Sequence, residues 1–299
     1  MNFDFSNIKI LLIGDFMIDH YLIGASYRNS PEAPVPVVIP QKEYSVPGGA
    51  GNVALNLKSM GAQVTCVGNV GIDKWGDQLL SILSEIDIDV DFLIRKKNYQ
   101  TTLKKRIYSN DKQVLRIDNE DNISLKYDLS LINFNKYDVC IVSDYNKGMI
   151  DKIDFNHPLL IVDPKKEDFS LYKNADIITP NLNELKKCSS IKINDHQSII
   201  MACNELIVKN NFKYVIAKQG DKGMTIIGEN NFFKKIDAHS IINSDVTGAG
   251  DTVLAILSLV YTKTSDIVLS AKIANAAAAY AVSMPGTTTI TLDKIKKYL

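Results

Sequence analysis

Short, wholly apolar runs of strand length, alternating with amphipathic stretches of helix length, constrain this chain more than any other feature. Ile8–Ile13 contains a single Lys and is closed by Gly14 and Asp15, as expected for a strand buried on both faces of a parallel sheet. Similar runs recur at Val64–Val70, Val139–Val142, Leu159–Val162, Ile177–Ile178 and Tyr214–Ala217, separated by helical stretches such as Val53–Met60, Leu79–Ile86 and Ser198–Val208. This alternation predicts an α/β fold with a mostly parallel central sheet flanked by helices. Towards the C-terminus the pattern becomes two long helices, Ala249–Val260 and Ile267–Ser283, and the alanines of Ala274–Ala279 in the second permit close packing.

Two stretches break the rhythm. His20–Pro47 carries Pro31, Pro34, Pro36, Pro40 and Pro47, which forbid helix and favour edge strand. Thr101–Asp118 alternates polar and apolar positions, a pattern for strands with one wet face. Together they predict a small, discontinuous β lid, at about 20–47 and 98–118, on a single unit spanning 1–299.

Composition narrows the function classes. With 34 basic and 34 acidic residues the net charge is +0, and no block of one sign points to nucleic acid. The 4 cysteines form no CxxC pair, which argues for a reducing cytoplasm and against zinc. No apolar run reaches the roughly 18 residues of a membrane span, and the N-terminal run is too short for a signal peptide.

Four motifs could carry chemistry. Asp245-Val246-Thr247-Gly248-Ala249-Gly250-Asp251 opens an apolar helix, and small residues there leave backbone N–H groups open to an anion. A carboxylate in that first turn repels phosphate unless it acts as general base towards an attacking hydroxyl; otherwise Asp251 complements the helix dipole. Gly48-Gly49-Ala50-Gly51-Asn52 opens another helix. It formally matches a dinucleotide fingerprint, but it follows polar chain ending in Pro47 and not a buried strand. Asn52 reads either as a sugar-hydroxyl ligand or as a solvated helix residue. Asp15 and Asp19 follow the first strand, where they are either polyol ligands or turn residues. Asn181 and Glu184 read either as a capping box or as a site in which Glu184 holds Mg²⁺ through water.

Read in order, these motifs resemble those of the ribokinase-like, or PfkB, carbohydrate kinases over the whole chain. Gly48-Gly49-Ala50-Gly51-Asn52-x-Ala54 followed by Gly61 and Gly71 is similar to the family's N-terminal signature, Asp245 to Asp251 to its C-terminal one, and Asn181-x-x-Glu184 to its magnesium motif. Within the family, Ser30-Pro31-Glu32-Ala33-Pro34-Val35-Pro36-Val37-Val38, Gly14-Asp15-x-Met17-x-Asp19, Ser143-Asp144-Tyr145-x-Lys147-Gly148 and Val162-Asp163-Pro164-Lys165 resemble segments of the heptose 7-phosphate kinases.

The resemblance implies transfer of the ATP γ-phosphoryl group to the anomeric hydroxyl of D-glycero-β-D-manno-heptose 7-phosphate, in lipopolysaccharide precursor synthesis. It implies Asp251 as base, with the amides of Gly248, Ala249 and Gly250 stabilising the transferring group. Asp15, Asp19, Gly48, Gly49 and Asn52 would hold the sugar, and lid cations, Arg106 first and Arg116 next, its phosphate. Asn181, Glu184, Lys165, Lys218, Gly220, Gly223 and Asn275 would bind ATP and Mg²⁺, with a monovalent cation near Asp245 left open. The usual Thr before Gly220-x-x-Gly223 is here Lys218. A homodimer through the lid and a cytoplasmic location are further expectations. Many such kinases carry a C-terminal nucleotidyltransferase domain, so this chain is read as a stand-alone kinase or as the N-terminal part of one. A kinase for another sugar and a non-catalytic regulator on the same fold are the alternatives.

Overall fold

The computed structural model describes residues 3–121, 127–153, 155–241 and 245–299. Its apolar runs form the centre of a nine-stranded sheet. In chain order the strands of this sheet are β1 (Lys9–Gly14), β4 (Gln63–Gly71), β5 (Asp89–Lys96), β8 (Val139–Ser143), β9 (Leu160–Asp163), β10 (Ile177–Ile178), β11 (Tyr214–Lys218), β12 (Met224–Gly228) and β13 (Phe232–Ile236). Their spatial order is β13-β12-β11-β10-β9-β8-β1-β4-β5, parallel from β11 to β5 and antiparallel over the β11–β13 hairpins. The remaining strands, β2 (Phe16–Asn29), β3 (Pro36–Gly49), β6 (Thr102–Ser109) and β7 (Lys112–Asn119), form a second sheet in the order β3-β2-β6-β7.

Helices α1 (Ala50–Ser59), α5 (Ala249–Thr264) and α6 (Ile267–Val282) pack on one face of the large sheet. On the other, α3 (Leu182–Cys188) and α4 (His196–Asn210) cover a second cluster that includes Leu11, Val142 and Val215. Between α1 and β5 lies α2 (Lys74–Glu85), started by Asp73, whose carboxylate accepts the N–H groups of Trp75 and Gly76. No helix among the described residues is long and apolar enough to cross a membrane.

The second sheet is the expected lid, with one shift of boundary. Strand β2 begins at Phe16, not near residue 20, so Asp19 lies on a lid strand. Pro36, Pro40 and Pro47 sit on β3, an edge strand, where a missing N–H is tolerated. The lid's two faces differ. Asp19, Tyr21, Lys104 and Arg106 share the face turned to the core's site, while Leu22, Ile107, Leu115 and Ile117 share the opposite one.

Candidate active site at the carboxyl edge of the sheet

The carboxyl ends of β1, β8, β9 and β11 bring Asp15, Asp144, Asp163 and Lys218 to one edge of the large sheet. Chain direction across the sheet reverses between β1 and β8, the kind of point at which open α/β sheets bind ligands. A cleft of about 870 Å³ opens there, bounded by the Gly248–Asp251 turn, Lys165, Glu184, Lys218 and Asn275.

Asp251 stands in the first turn of α5 with its side chain buried. Its Oδ1 accepts from the Tyr145 hydroxyl at 2.5 Å and its Oδ2 from Asn52 Nδ2 at 2.8 Å. Burial pushes this carboxyl up to about 6, against the downward pull of those two hydrogen bonds and with the nearby charges of Asp163 and Asp19 adding to the rise. Gly248, the residue before α5, has φ +74°, and a Cβ there would come within 2.7 Å of Asn52 Nδ2, so both backbone shape and space require glycine. Of the three amides expected to meet a phosphoryl group, Ala249's is donated to the Val246 carbonyl at 3.3 Å, a tight turn bond. The amides of Gly248 and Gly250 have no such backbone acceptor among the described residues.

Asp15 Oδ2 accepts the backbone N–H groups of Tyr145 and Lys147 at 2.8 and 3.1 Å, and its Oδ1 that of Met149 at 3.1 Å. Three amides meet this carboxylate, so it anchors the loop after β8. Asp19 is also partnered, its Oδ1 lying 2.6 Å from Arg106 Nη1. Gly48 and Gly49 close β3 beside Asp19 and Asp15, and Asn52 reaches Asp251 itself. Arg116 lies on exposed β7, paired in register with Arg106 on the same lid face, and its Nε and Nη2 both bond Asp118 at 2.9 Å.

On the cleft's far side Asn181 and Glu184 form a complete capping box at the start of α3: the Glu184 amide reaches Asn181 Oδ1 at 3.0 Å and the Asn181 amide reaches Glu184 Oε2 at 2.8 Å. Glu184 Oε1 is 3.1 Å from Lys165 Nζ. Lys218 forms an ion pair with Asp163, which also accepts from Thr179 Oγ1 at 2.5 Å. Gly220 and Gly223 line the same wall; at Gly223, φ is +83° and a Cβ would meet the Ile236 carbonyl at 2.0 Å. Asn275, on α6, donates to the Asp237 carbonyl at 2.9 Å and closes the opposite end.

Mg²⁺ keeps much of its water and needs only a carboxylate or two beside substrate phosphates, which Glu184 and Asp163 can offer. Among the described residues no group of three or more His, Cys, Asp or Glu side chains forms a direct cage. The residues fit a hydrated ion and not a protein-enclosed one.

Two residues at the site, Tyr145 and Asp163, had no role assigned from the sequence, while Lys104 was one of the lid cations considered for the acceptor's phosphate. Tyr145 and Asp163 follow or end the apolar runs of β8 and β9, and that position was the available signal. Lys104, half-buried on β6, holds its ammonium 5.0 Å from the Tyr145 ring centroid.

The described geometry agrees with what this chain is similar to. The model of the pfkB family of carbohydrate kinases matches residues 7–295. The bifunctional protein HldE of Aliarcobacter butzleri is 39% identical over 97% of this chain, and that of Campylobacter curvus 35% over 98%. This chain spans 64% and 65% of the length of those two relatives. Among solved structures, Arabidopsis thaliana ribokinase complexed with ribose and ATP has a TM-score of 0.75 at 18% identity, covering 97% of this chain and 98% of that one. Thermotoga maritima ribokinase has 0.73 at 19%, with the same coverage. At such identity these two structures speak to the fold alone.

Proposed function

We propose, since the chain belongs to the pfkB family of carbohydrate kinases, that it phosphorylates the anomeric hydroxyl of D-glycero-β-D-manno-heptose 7-phosphate from ATP, as a cytoplasmic enzyme of surface-glycan heptose synthesis. The observation that carries the reading is Asp251: a buried carboxylate at a helix start, beside a cleft that also holds Lys165 and Lys218, each paired with a carboxylate. Similarity to the HldE proteins, in a chain shorter than they are, supports the choice of acceptor.

In this mechanism Asp251 takes the proton of the attacking hydroxyl as its oxygen bonds to the γ-phosphorus and the bond from that phosphorus to the bridging oxygen breaks, with ADP as the leaving group. Raised to about 6, the carboxyl is ionised at pH 7 yet basic enough to accept that proton. ATP with Mg²⁺ supplies the γ-phosphoryl group and neutralises its charge. Lys218 and Lys165 would bring positive charge to the nucleotide phosphates, Glu184 would hold a hydrated Mg²⁺, and the Gly248 and Gly250 amides would meet the transferring group. Asn52, now on Asp251 Oδ2, occupies the place of the incoming hydroxyl and passes to the sugar when the acceptor binds. Asn275 closes the adenine end.

Asp245 accepts the Thr247 and Gly286 amides at 2.9 and 2.8 Å, which ties the loop where a monovalent cation would act. A second copy of the chain covers the outer lid face, forming a homodimer.

The test is ATP-dependent transfer to mannoheptose 7-phosphate, sedoheptulose 7-phosphate, ribose and fructose 6-phosphate. Highest kcat/KM with mannoheptose 7-phosphate supports the reading; a clear preference for any other acceptor replaces it.

A further inference from the structure

We propose that Tyr145 is the positioning residue of the base: its hydroxyl fixes Asp251 Oδ1, so that Oδ2 alone is presented to the acceptor. The proposal rests on the reading of Asp251 as base and goes beyond it. Each oxygen of that carboxylate carries one side-chain donor, and the two donors differ in how they are held. Oδ2 is held by Asn52, a side chain amide on α1 beside the sugar's expected position; Oδ1 is held at 2.5 Å by Tyr145. The Tyr145 backbone is not free to drift, because its own amide donates to Asp15 at 2.8 Å. Two residues on, the Lys147 amide donates to the same carboxylate, and the Asn146 amide caps Asp144 at 2.6 Å. Asp144 in turn accepts from Tyr172 at 2.5 Å, and the Tyr172 hydroxyl receives the amides of Lys165 and Lys166 at 3.2 and 3.0 Å. One chain of hydrogen bonds thus runs from the phosphate-side loop at Lys165 through Tyr172 and Asp144 to the loop that carries Tyr145.

Tyr145 suits the task because it stays a donor. Burial and the adjoining Asp251 charge hold its phenol well above its usual range. A charge-assisted donor stabilises the ionised carboxylate over its acid form. Other charged groups near Asp251 include Asp163 from β9 and Asp19 from β2, which oppose ionisation, Lys104 from β6, which favours it from over the Tyr145 ring, and Lys218 from β11, paired with Asp163 in the same cleft. Because Lys104 belongs to the lid and Tyr145 to the core, the lid reaches the base through this ring.

The test is Tyr145→Phe in the whole chain, which keeps the ring and removes the donor. Its kcat is followed from pH 5 to pH 9 with ATP and whichever acceptor the wild type prefers, so acceptor identity and Tyr145's role are read separately. Loss of the hydrogen bond should move the acid limb of kcat up by about one pH unit, lowering kcat about tenfold below the limb and much less at pH 9, with KM for ATP unchanged. The same change placed on Asp251→Asn should have almost no further effect, since Tyr145 acts through that carboxylate. A merely structural role predicts equal loss at every pH and full additivity. Either of those results, or an unmoved limb, overturns the proposal.

Discussion

Asp19 of β2 and Arg106 of β6 form an ion pair, Oδ1 to Nη1 at 2.6 Å, with both side chains at or below 10% exposure. Arg106 therefore already has its counter-ion, and removing either partner leaves a buried charge uncompensated, at a cost of about 3–5 kcal/mol. Lys104, beside Arg106 on the same lid face, has no carboxylate within ion-pair distance among the described residues and is held below its ordinary range mainly by burial.

The acceptor's phosphate is accordingly expected at Lys104 first. Lys104→Met should raise KM for the sugar phosphate at least about tenfold, the loss of one charge-assisted contact, while KM for ATP stays within about twofold. Arg106→Ala should instead lower the melting temperature and raise KM for the sugar phosphate together. If Lys104→Met leaves KM unchanged and Arg106→Ala raises it in a fully stable protein, the guanidinium is the phosphate ligand.

Asp251→Asn keeps shape and removes the proton acceptor. Its kcat should fall about 10²–10⁴-fold while calorimetric ATP binding survives. A variant with most of its kcat would end the assignment of Asp251 as base.

The same variant reports on stability. In the fold the Asp251 carboxyl is raised from 3.8 to about 6, so the native state holds this proton after the unfolded chain has lost it. Stability from this group is complete below pH 4 and declines as pH rises to 6, by about 3 kcal/mol in all. Asp251→Asn lacks that decline. Its stability relative to wild type, from urea melts, should improve between pH 4 and pH 7; a constant difference would show that the carboxyl is not raised.

Much of this was legible beforehand because it depends on local pattern. The runs of β1, β4, β8 and β11 are apolar since both faces of the sheet are covered, and the glycines at 48–51 and 248–250 are visible by their spacing. Partnerships across the fold were not. The amides of the loop at 145–149 on Asp15 are not visible in the sequence, and Arg106 reads as a free cation until β2 pairs with β6 in parallel. Tyr145 meets Asp251 across 106 residues, a contact no periodicity encodes.

At Glu184 the two sequence readings coexist. Its Oε2 closes the capping box and its Oε1 faces Lys165 in the cleft. Glu184→Gln retains a carbonyl for the Asn181 amide but loses the anion, so the Mg²⁺ needed for half-maximal rate should rise severalfold with little change in melting temperature. Glu184→Ala also removes the cap and should cost about 1 kcal/mol more. Unchanged metal dependence in both variants would leave capping as the whole role.

The proposed dimer would form through the lid's outer face. Every residue of edge strand β7 is exposed, and Leu115 and Ile117 are 51% and 42% accessible on a face continued by Ile107 and Leu22. An eight-residue edge with apolar side chains invites pairing with another strand unless something covers it. Arg116 and Asp118 point to the other face and neutralise one another, which leaves Lys105, across from Ile117, as the β6–β7 charge on this one. A second copy meeting this face across a twofold axis would set like residues against like, which apolar side chains tolerate and charges do not. Leu115→Glu combined with Ile117→Glu places four like charges in such an interface, so light scattering should find the wild type dimeric and the variant monomeric. Because Lys104 and Arg106 lie on the opposite face of the same strands, the monomer should also lose affinity for the sugar phosphate more than for ATP. A wild type that sediments as a monomer at micromolar concentration would remove the dimer from the account.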